Sequence, residues 1–546
     1  MSTHHAPQPD SEILPLSECD AVVVGAGFGG MYMLHRLRGL GLSAVVFEAG
    51  GDVGGTWYWN RYPGARCDVE SMQYSFGFSD DLQQDWRWSE RYAAQPEILR
   101  YAGHLADRFD LRRDIRFETK VTSAHFDEAA GRWTVRTSGG DVVRARFCVM
   151  ATGCLSTARL PDFPGRDSFR GNTYHTGAWP HEGVDFTGQR VGVVGTGSSA
   201  IQAIPQIARQ AAHLLVFQRT PNYSVPSRNR PMAPDYESEW KADYAERRRR
   251  AKETRTAILL GLNDRPALDA SEAEREAEFE ARWQVGGFTF MAAFNDLLLN
   301  KAANDTAANF VRAKIRDIVR DPAVAERLTP KDYPIGTKRL CVDTDYFATY
   351  NRANVTLVDV REAPIEAITP DGLRTVDAGY ALDSIVFATG FDAMTGTLLA
   401  MDIAGRDGRT LRAEWAGGPR TYLGLTVAGF PNLFLITGPG SPSVISNMIA
   451  AIEQHVDWIV GCLAHMRAHG AATVEATDAA EEAWSAHVTE VGHRTLYPQA
   501  NSWYMGANIP GKPRVLLPYL GGFPAYRRKC DAVAAGGYEG FRFAPA

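Results

Sequence analysis

Three glycines, Gly25, Gly27 and Gly30, lie between two apolar runs, and Glu48 closes the second run. In this spacing the first glycine permits a tight turn after a strand, the second lets the backbone approach a pyrophosphate, and the third lets a helix pack closely on the strand. The first N–H groups of that helix would face the phosphates. A carboxylate roughly twenty residues further on can accept hydrogen bonds from an adenosine ribose and disfavours a 2′-phosphate. The pattern therefore predicts a dinucleotide site; a glycine turn without a ligand is the alternative.

A second stretch repeats this glycine spacing, the dinucleotide-binding fingerprint, about 170 residues later. Gly195 and Gly197 follow an apolar run, and Ala200 takes the third glycine position, which the fingerprint tolerates. Where the first unit has Glu48, this one has Arg219, which can pair with a 2′-phosphate. The second nucleotide is therefore expected to be NADPH, and a solvated strand end at Arg219 is the alternative. The residues expected to bind it are Gly195, Thr196, Gly197, Ser198, Ser199, Gln202, Arg219 and Thr220.

Residues 50–68, directly after Glu48, are rich in glycine and aromatic residues. The glycines would bring the backbone close to the far end of the first dinucleotide. The mixture of rings with arginine and aspartate suits a flat polar ring system better than a phosphate, and an aromatic-rich surface loop is the alternative. The residues of this segment expected to contact a cofactor are Gly55, Thr56, Trp57, Trp59, Arg66 and Asp68.

Length and composition are those of a globular protein with more than one domain. The 546 residues exceed what a single core usually buries, so two or three domains are expected. Lys plus Arg number 58 against 64 Asp plus Glu, a net charge of −6, and nothing suggests a nucleic-acid or membrane partner. Residues 1–18 lack the basic start and apolar core of a secretory signal, and the apolar helix pattern at 444–466 contains Glu453 and Asp457. We expect a cytoplasmic protein with a flexible N-terminal tail.

The seven cysteines are scattered without a CxxC pair, which argues against a zinc site, against any other metal site and against a redox dithiol. Two dinucleotide sites, one ending in a carboxylate and one in an arginine, imply hydride transfer from NADPH to a tightly held flavin, because FAD is the usual occupant of the first kind of site. A disulfide reductase would need a dithiol beside the flavin. Molecular oxygen is therefore the leading electron acceptor. We assign no chemical role to Cys67 or Cys154.

The elements that must position these residues are those of an α/β protein with two Rossmann-like dinucleotide-binding domains and a helical insertion. Strand patterns recur along the chain, and long charged helical patterns fill 231–328. We place this insertion within the second nucleotide domain, and we expect the basic run 247–250 to be a solvated helix face. The predicted boundaries are 1–18 for the tail, 19–157 and 388–546 for the FAD-binding domain, 158–225 and 335–387 for the NADP-binding domain, and 226–334 for the insertion.

Between the two fingerprints, the residues Phe169 to Pro180 match in full the FxGxxxHxxxWP motif. In this motif the chain resembles the type I Baeyer–Villiger monooxygenases, and the resemblance runs from about Asp20 to Phe541. It is closest to the phenylacetone and steroid monooxygenase branch, judging from residues 62–68, 336–340, 387–392, 438–443 and 506–512. We expect His175 and Trp179 to have the structural role of holding the linker between the domains.

The resemblance implies that Arg339 is the catalytic arginine and that Asp68 pairs with it and orients it. Arginine keeps its proton at working pH, so it can hold a fixed positive charge above a flavin. By the same resemblance Lys338 binds the 2′-phosphate together with Arg219 and Thr220. The remaining residues expected to contact a cofactor are Trp503 at the nicotinamide, Met448 and Tyr74 at the flavin, and Val121.

The resemblance also implies a reaction. NADPH reduces FAD, oxygen forms a C4a-peroxyflavin, and this species adds to a ketone to give an ester or lactone while NADP⁺ stays bound. We expect a hydrophobic ketone, because residues 441–445, Leu340 and Trp503 should border the pocket, and a monomer or weak homo-oligomer. Two rivals remain: a flavin monooxygenase that oxidises amines or sulfides, and a non-catalytic NADPH sensor. If the chain is a Baeyer–Villiger monooxygenase, sulfoxidation is expected as a side activity.

Overall fold

The computed structural model of the chain describes residues 17–545, so most of the predicted tail lies outside the described residues. The strands, in chain order, are β1 Ser17–Val24, β2 Ala44–Phe47, β3 Ile115–Arg116, β4 Val121–Asp127, β5 Arg132–Thr137, β6 Val142–Met150, β7 Asn172–His175, β8 Arg190–Val194, β9 His213–Gln218, β10 Ser224–Pro226, β11 Cys341–Asp343, β12 Val355–Asp359, β13 Ile365–Thr369, β14 Gly372–Thr375, β15 Gly379–Ala381, β16 Ser384–Phe387, β17 Asp402–Ala404, β18 Leu433–Leu435, β19 Ala471–Ala476 and β20 Phe541–Pro545.

The α-helices are α1 Phe28–Gly39, α2 Thr56–Trp59, α3 Asp80–Asp85, α4 Gln95–Arg108, α5 Ser198–Gln210, α6 Pro234–Ala242, α7 Tyr244–Lys252, α8 Glu272–Val285, α9 Lys301–Ile318, α10 Pro322–Leu328, α11 Tyr346–Thr349, α12 Gly396–Ala400, α13 Leu411–Glu414, α14 Met448–Ala468, α15 Asp478–His493 and α16 Phe523–Ala535. Short 3-10 helices lie at Arg112–Asp114, Arg166–Ser168, Ala267–Asp269, Gly287–Ala292, Arg406–Gly408, Ser443–Ile445, Tyr497–Gln499 and Trp503–Met505.

The first fingerprint belongs to an eight-stranded sheet with the order β17-β4-β5-β6-β1-β2-β3, in which β18 also pairs with β6. β1 runs parallel to both neighbours, so that Val23 faces Val46 on one side and Val149 on the other. All three valines are fully buried, as the continuous apolar run of a central parallel strand requires. β1 begins at Ser17, two residues before the predicted start of the FAD-binding domain at residue 19, because its first residues pair with Val143 and its neighbours on β6.

The second fingerprint belongs to a five-stranded sheet with the order β12-β9-β8-β16-β7, and every pairing in it is parallel. β8 lies between β9 and β16, so that Val193 faces Val216 and Val386. These three residues are also fully buried. The structure thus contains one mixed sheet, in which β5 runs antiparallel to β4 and β6, and one fully parallel sheet. Each has a glycine turn at the end of a central parallel strand, and the predicted α/β class with two Rossmann-like units is confirmed.

The helices of the predicted insertion pack on both hydrophobic cores, and its placement within the second unit stays a prediction. Trp240 of α6 and Tyr244 of α7 are buried in the core of the first unit, whereas Phe279 of α8 and Phe310 of α9 are buried in the core of the second. The sequence pattern could not reveal this division, because an apolar helix face does not specify the surface on which it packs.

The expectation of a solvated basic face on α7 is wrong for Arg248. Its guanidinium donates hydrogen bonds to the carbonyl oxygen of Ser75 at 2.8 Å and to the hydroxyl of the same residue at 2.9 Å. It also reaches the carbonyl oxygen of Phe76 at 3.1 Å. Arg248 therefore fastens the first part of the insertion to the first unit.

The C-terminal region holds one pairing that the sequence analysis missed. β19 and β20 form an antiparallel pair, with Val474 opposite Phe543. The predicted helix at 444–466 corresponds to α14, which packs against α1, and the hydroxyl of Tyr32 donates to Asp457 at 2.8 Å. Within residues 17–545, no helix combines the length and apolar character needed to cross a membrane.

Candidate functional site

The glycine turn of the first unit depends on close backbone approaches. Gly25 has a φ of 103°, and a Cβ there would lie 2.6 Å from the carbonyl oxygen of Ala151. A Cβ on Gly30 would lie 1.8 Å from the carbonyl oxygen of Gly25. A Cβ on Gly55 would lie 2.9 Å from the Cα of Gly27, so the second glycine cluster packs directly on the turn. No side chain larger than hydrogen fits at these points.

Glu48 is placed immediately after β2, where its carboxylate meets the same turn. Its Oε2 accepts a hydrogen bond from the N–H of Ala26 at 2.7 Å, and its Oε1 accepts one from the N–H of Gly50 at 2.8 Å. Only 5% of the residue is exposed, and this burial raises the pKa of Glu48, although these N–H donors oppose the rise. The carboxylate is therefore held rigidly beside the place where a nucleotide would enter.

The start of each fingerprint helix fits a phosphate. α1 begins after Gly27 and α5 begins after Gly197, and neither helix has a side-chain cap or an acidic residue in its first turn. The first N–H groups of a helix have no partner within the helix and carry partial positive charge. Such helix ends bind phosphate and pyrophosphate groups, so the residues present fit two dinucleotides.

The second turn resembles the first but has more space. Gly195 has a φ of 110°, and a Cβ there would lie 2.6 Å from the carbonyl oxygen of Ala388. The hydroxyl of Thr196 donates to the carbonyl oxygen of Thr220 at 2.8 Å, which ties the turn to the end of β9. By contrast, no atom lies within 4 Å of a Cβ built on Gly197.

Two cationic side chains, those of Arg219 and Lys338, lie close to each other near this second turn. In the described part of the chain, neither Arg219 nor Lys338 has a carboxylate oxygen within 4.0 Å. The ammonium group of Lys338 lies over the ring of Tyr333, 4.6 Å from its centroid. Burial, and then repulsion from Arg219, lower the pKa of Lys338 to about 8. A pair of cations that repel each other in this way is suited to a doubly charged phosphate.

Arg339 and Asp68 form a bidentate ion pair. Nη2 of Arg339 donates to Oδ1 and to Oδ2 of Asp68, each at 2.7 Å, and Nε donates to Oδ2 at 3.0 Å. Nη1 donates to the carbonyl oxygen of Val444 at 2.8 Å, and the guanidinium carbon lies 4.8 Å from the ring centroid of Phe288. Burial alone would lower the pKa of Arg339, but Asp68 and then Tyr504 raise it above its ordinary value. The guanidinium therefore stays charged at any working pH.

This ion pair lies where the two nucleotide units meet. Asp68 follows α2 of the first unit, whereas Arg339 precedes β11, which lies beside α5. The hydroxyl of Tyr62 donates to the side chain of Gln202 at 2.8 Å, and Nε2 of Gln202 donates to the carbonyl oxygen of Arg66 at 3.1 Å. The loop that carries Asp68 is thus hydrogen-bonded to the helix of the second fingerprint.

The other predicted cofactor residues divide into groups. Trp57 donates from Nε1 to the hydroxyl of Tyr74 at 3.2 Å, which brings these two together. Met448 and Trp503 belong to one small apolar cluster that also contains Val444, the residue that accepts from Arg339. Met448 and Trp503 therefore lie on the side of the ion pair that Val444 occupies, and Tyr74 lies close enough for the charges of Asp68 and Arg339 to act on its hydroxyl.

Among the described residues, four others predicted to contact a cofactor make no contact with the ion pair or with a glycine turn that would support the prediction. The guanidinium of Arg66 is engaged with Glu90, at 2.6 Å, and with the carbonyl oxygen of Tyr92, at 2.7 Å. Val121 is buried in the sheet at the start of β4, only two residues after Thr119, whose N–H donates to the carbonyl oxygen of Glu48. Thr56 is exposed, and Trp59 makes a backbone contact with the linker that precedes β8.

The two residues predicted to hold the linker make contacts within the protein. Nδ1 of His175 accepts from the N–H of Gly177 at 2.9 Å, and burial lowers the pKa of the imidazole. Trp179 is 4% exposed and packs beside Tyr174 and Phe186. These contacts are the kind that a structural role requires.

Sequence reasoning missed Phe288 and Val444 as partners of Arg339. The one signal for Phe288 is the pair Gly286–Gly287 before it, because both glycines have positive φ values of 82° and 66°. All seven cysteines, which lie within the described residues, are unpaired. Cys154 is buried, and its thiol lies 2.9 Å from the hydroxyl of Ser443.

Comparison with known proteins places the chain among flavin-dependent oxygenating enzymes. A family model described as pyridine nucleotide-disulphide oxidoreductase matches residues 22–258. A Baeyer-Villiger monooxygenase of Pseudooceanicola batsensis is 45% identical over 96% of each chain, and a phenazine N-monooxygenase of Lysobacter antibioticus is 43% identical over 96% of each. A solved structure of an oxidized steroid monooxygenase bound to NADP has a TM-score of 0.93 and 55% identity, covering 97% of this chain and 100% of that one.

The steric difference between the two turns predicts unequal effects of adding one methyl group. Gly30→Ala would force a methyl group against the carbonyl oxygen of Gly25, and we expect it to cost about 3 kcal/mol or more and to abolish binding of the first nucleotide. Gly197→Ala is the matched control, because space surrounds that position, and its stability should stay within about 0.5 kcal/mol of the parent. The measurements are the thermal midpoint and the ratio of bound flavin to protein. Equal flavin content in both variants would contradict this account of the turn.

Proposed function

Because this chain belongs to the family of Baeyer–Villiger monooxygenases, we propose that it inserts one oxygen atom of O2 next to the carbonyl group of a hydrophobic ketone. The products are an ester or lactone, water and NADP⁺. The observation that carries this proposal is the bidentate pair of Arg339 and Asp68 at the junction of two nucleotide-binding units.

The cofactors are FAD and NADPH. FAD would lie on the turn of Gly25, Gly27 and Gly30, with Glu48 at its ribose, and NADPH on the turn of Gly195 and Gly197. We assign the FAD-binding domain to residues 19–157 and 388–546 and the NADP-binding domain to residues 158–225 and 335–387. The helical insertion is assigned to residues 226–334. Together the two cofactors supply the hydride and the activation of oxygen.

We assign the 2′-phosphate of NADPH to Arg219, Lys338 and Thr220. This assignment is supported by the two cations, which have no carboxylate partner among residues 17–545, and by the hydrogen bond that fixes Thr220 to the turn. The remaining proposed cofactor contacts are Gly55, Thr56, Trp57, Trp59, Arg66, Asp68, Tyr74, Val121, Met448, Thr196, Ser198, Ser199, Gln202 and Trp503.

Arg339 would act as a fixed cation beside the reacting carbonyl group. As oxygen adds to the carbonyl carbon, negative charge develops on the carbonyl oxygen, and a preorganised guanidinium stabilises that charge without first losing ordered water. Asp68 accepts hydrogen bonds from Nε and Nη2, which form one edge of the guanidinium, and the carbonyl oxygen of Val444 accepts one from Nη1. The face of the guanidinium opposite Phe288 is the side from which a substrate could approach.

The surroundings of Arg339 favour an apolar substrate. Leu340 is 4% exposed, and Val444 is buried in a cluster with Met448 and Trp503. Ser441 is fully buried, and its hydroxyl is already used in a hydrogen bond to the carbonyl oxygen of Gly438 at 2.7 Å. Few free polar groups therefore face the region, which also keeps water from the reacting atoms.

A second candidate is the oxidation of a nitrogen or sulfur atom, favoured by the similarity to the phenazine N-monooxygenase. In that reaction the heteroatom donates its lone pair to oxygen, and no negative charge develops on a carbonyl oxygen. Loss of Arg339 should therefore lower the rate of sulfide oxidation less than the rate of ketone oxidation.

A cytoplasmic location and a monomeric or weakly homo-oligomeric state stay predictions. Cell fractionation would test the first, and size-exclusion chromatography would test the second.

Replacing the guanidinium tests the proposed reaction. Arg339→Ala should lower the rate of ester formation by about 10²–10³ while NADPH still binds. The control is Arg374→Ala, which removes an exposed arginine paired with Glu366 at 3.0 Å and should leave the rate unchanged. Ester is measured by product analysis on linear, aryl and cyclic ketones, beside a sulfide. Ester formation at the parental rate in Arg339→Ala would refute the assignment.

The low pKa of Lys338 predicts a pH dependence of NADPH binding. The ammonium group is charged below a pKa of about 8 and neutral above it, so affinity should fall as the pH rises past 8, by at most about tenfold per pH unit. Lys338→Arg should remove this fall, because a guanidinium keeps its proton. The dissociation constant measured between pH 7 and 9.5 checks this. A profile that is the same in both proteins would show that Lys338 does not contact the phosphate.

A further inference from the structure

A cavity of about 330 Å³ lies where the insertion meets the first unit. Four charged residues line it, namely Glu70, Arg91, Arg228 and Arg230. Tyr236 of α6 contributes its ring. None of these residues belongs to either nucleotide turn or to the proposed ketone pocket.

The charges that line the cavity do not balance. Glu70 is engaged on both oxygens, because Arg91 donates from Nη2 and Nε to Oε1 at 2.6 and 2.9 Å, and the hydroxyl of Tyr236 donates to Oε2. Within residues 17–545, neither Arg228 nor Arg230 has a carboxylate oxygen within 4.0 Å. Two guanidinium groups thus border the cavity without an ion pair to any of the described residues.

The backbone around Arg228 is fixed by packing. Arg228 has a φ of 49°, a value that residues other than glycine rarely adopt and that is often found at binding sites. A Cβ on Gly286 would lie 2.6 and 2.7 Å from the carbonyl oxygens of Pro226 and Ser227, so the glycine packs directly on this bend. The bend and the glycine therefore hold each other, and Arg228 is preorganised at the rim.

Two short segments connect this cavity with Arg339. Glu70 follows Asp68 by two residues, and Val285, which lines the cavity, precedes Phe288 by three. Arg91 bridges the two segments, because it holds Glu70 and also donates from Nη1 to the carbonyl oxygen of Val285 at 2.7 Å. An anion seated here would therefore contact the same loops that position the guanidinium of Arg339.

We propose that this cavity binds the phosphate or carboxylate group of a small organic anion through Arg228 and Arg230. Guanidinium groups bind both kinds of oxyanion with charge-assisted hydrogen bonds. The site goes beyond the proposed oxygenation and does not depend on which ketone is oxidised.

The test is a calorimetric titration of the FAD-loaded protein in the presence of saturating NADP⁺. The two nucleotides then occupy their own phosphate-binding sites, so the titrated anion cannot bind there. Inorganic phosphate and acetate are titrated in separate arms at low ionic strength, so that the two chemistries are distinguished. Arg228→Ala with Arg230→Ala should weaken binding of the preferred anion by about tenfold or more, the expected loss for charge-assisted hydrogen bonds. Arg320→Ala, at an exposed arginine of the insertion that forms no ion pair with the residues that the structure describes, is the matched control and should bind like the parent.

A second variant gives an effect of opposite sign. Glu70→Gln removes the one negative charge of the cavity while keeping an oxygen for Tyr236, so it should tighten binding of the same anion. A misfolded protein would lose binding, so tighter binding cannot arise from damage to the fold. Failure of both anions to bind the parental protein, or equal binding by the parent and the double arginine variant, would overturn the proposal.

Discussion

The ion pair between Arg339 and Asp68 is the interaction on which the proposed site depends. A partly buried cation is costly unless its donors are satisfied, and here one carboxylate and one carbonyl oxygen satisfy it. Asp68 comes from the first nucleotide unit, and Arg339 comes from the segment that enters β11 beside the second fingerprint helix. The pair can therefore form only when both units are folded and docked. Correct placement of the guanidinium that we assign to catalysis thus depends on both cofactor-binding units.

Four cationic side chains at the two proposed anion-binding sites lack an ion pair within the part of the chain that the structure describes, although the protein carries a net negative charge. The net charge is −6, yet Arg219, Lys338, Arg228 and Arg230 all lack a carboxylate within 4.0 Å in the part of the chain that the structure describes. Unpaired cations repel one another, so such placements carry a cost unless an anion joins them. We interpret Arg219 and Lys338 as the binding site for the nucleotide phosphate. We interpret Arg228 and Arg230 as a separate anion-binding site.

Local constraints explain which features could be predicted from sequence. Each glycine fingerprint requires its residues at fixed spacing because the backbone itself closes the turn, and both turns have the φ values near 100° that only glycine adopts easily at Gly25 and Gly195. The long helix α14 and the central strands were also predictable from their apolar runs. The family resemblance supplied Arg339 and Asp68, which no spacing rule would have paired, because 271 residues separate them.

The features that the sequence did not reveal all depend on distant contacts. β19 and β20 pair across more than sixty residues, by the register of Val474 with Phe543. The division of the insertion between two cores, the ring of Phe288 and the carbonyl group of Val444 likewise follow from docking rather than from local pattern. The most direct test of the central claim is a crystal structure of the protein with FAD and NADP⁺ bound. We predict that the guanidinium of Arg339 remains on Asp68 and faces the flavin ring; a guanidinium turned to bulk solvent, away from the flavin, would contradict the account.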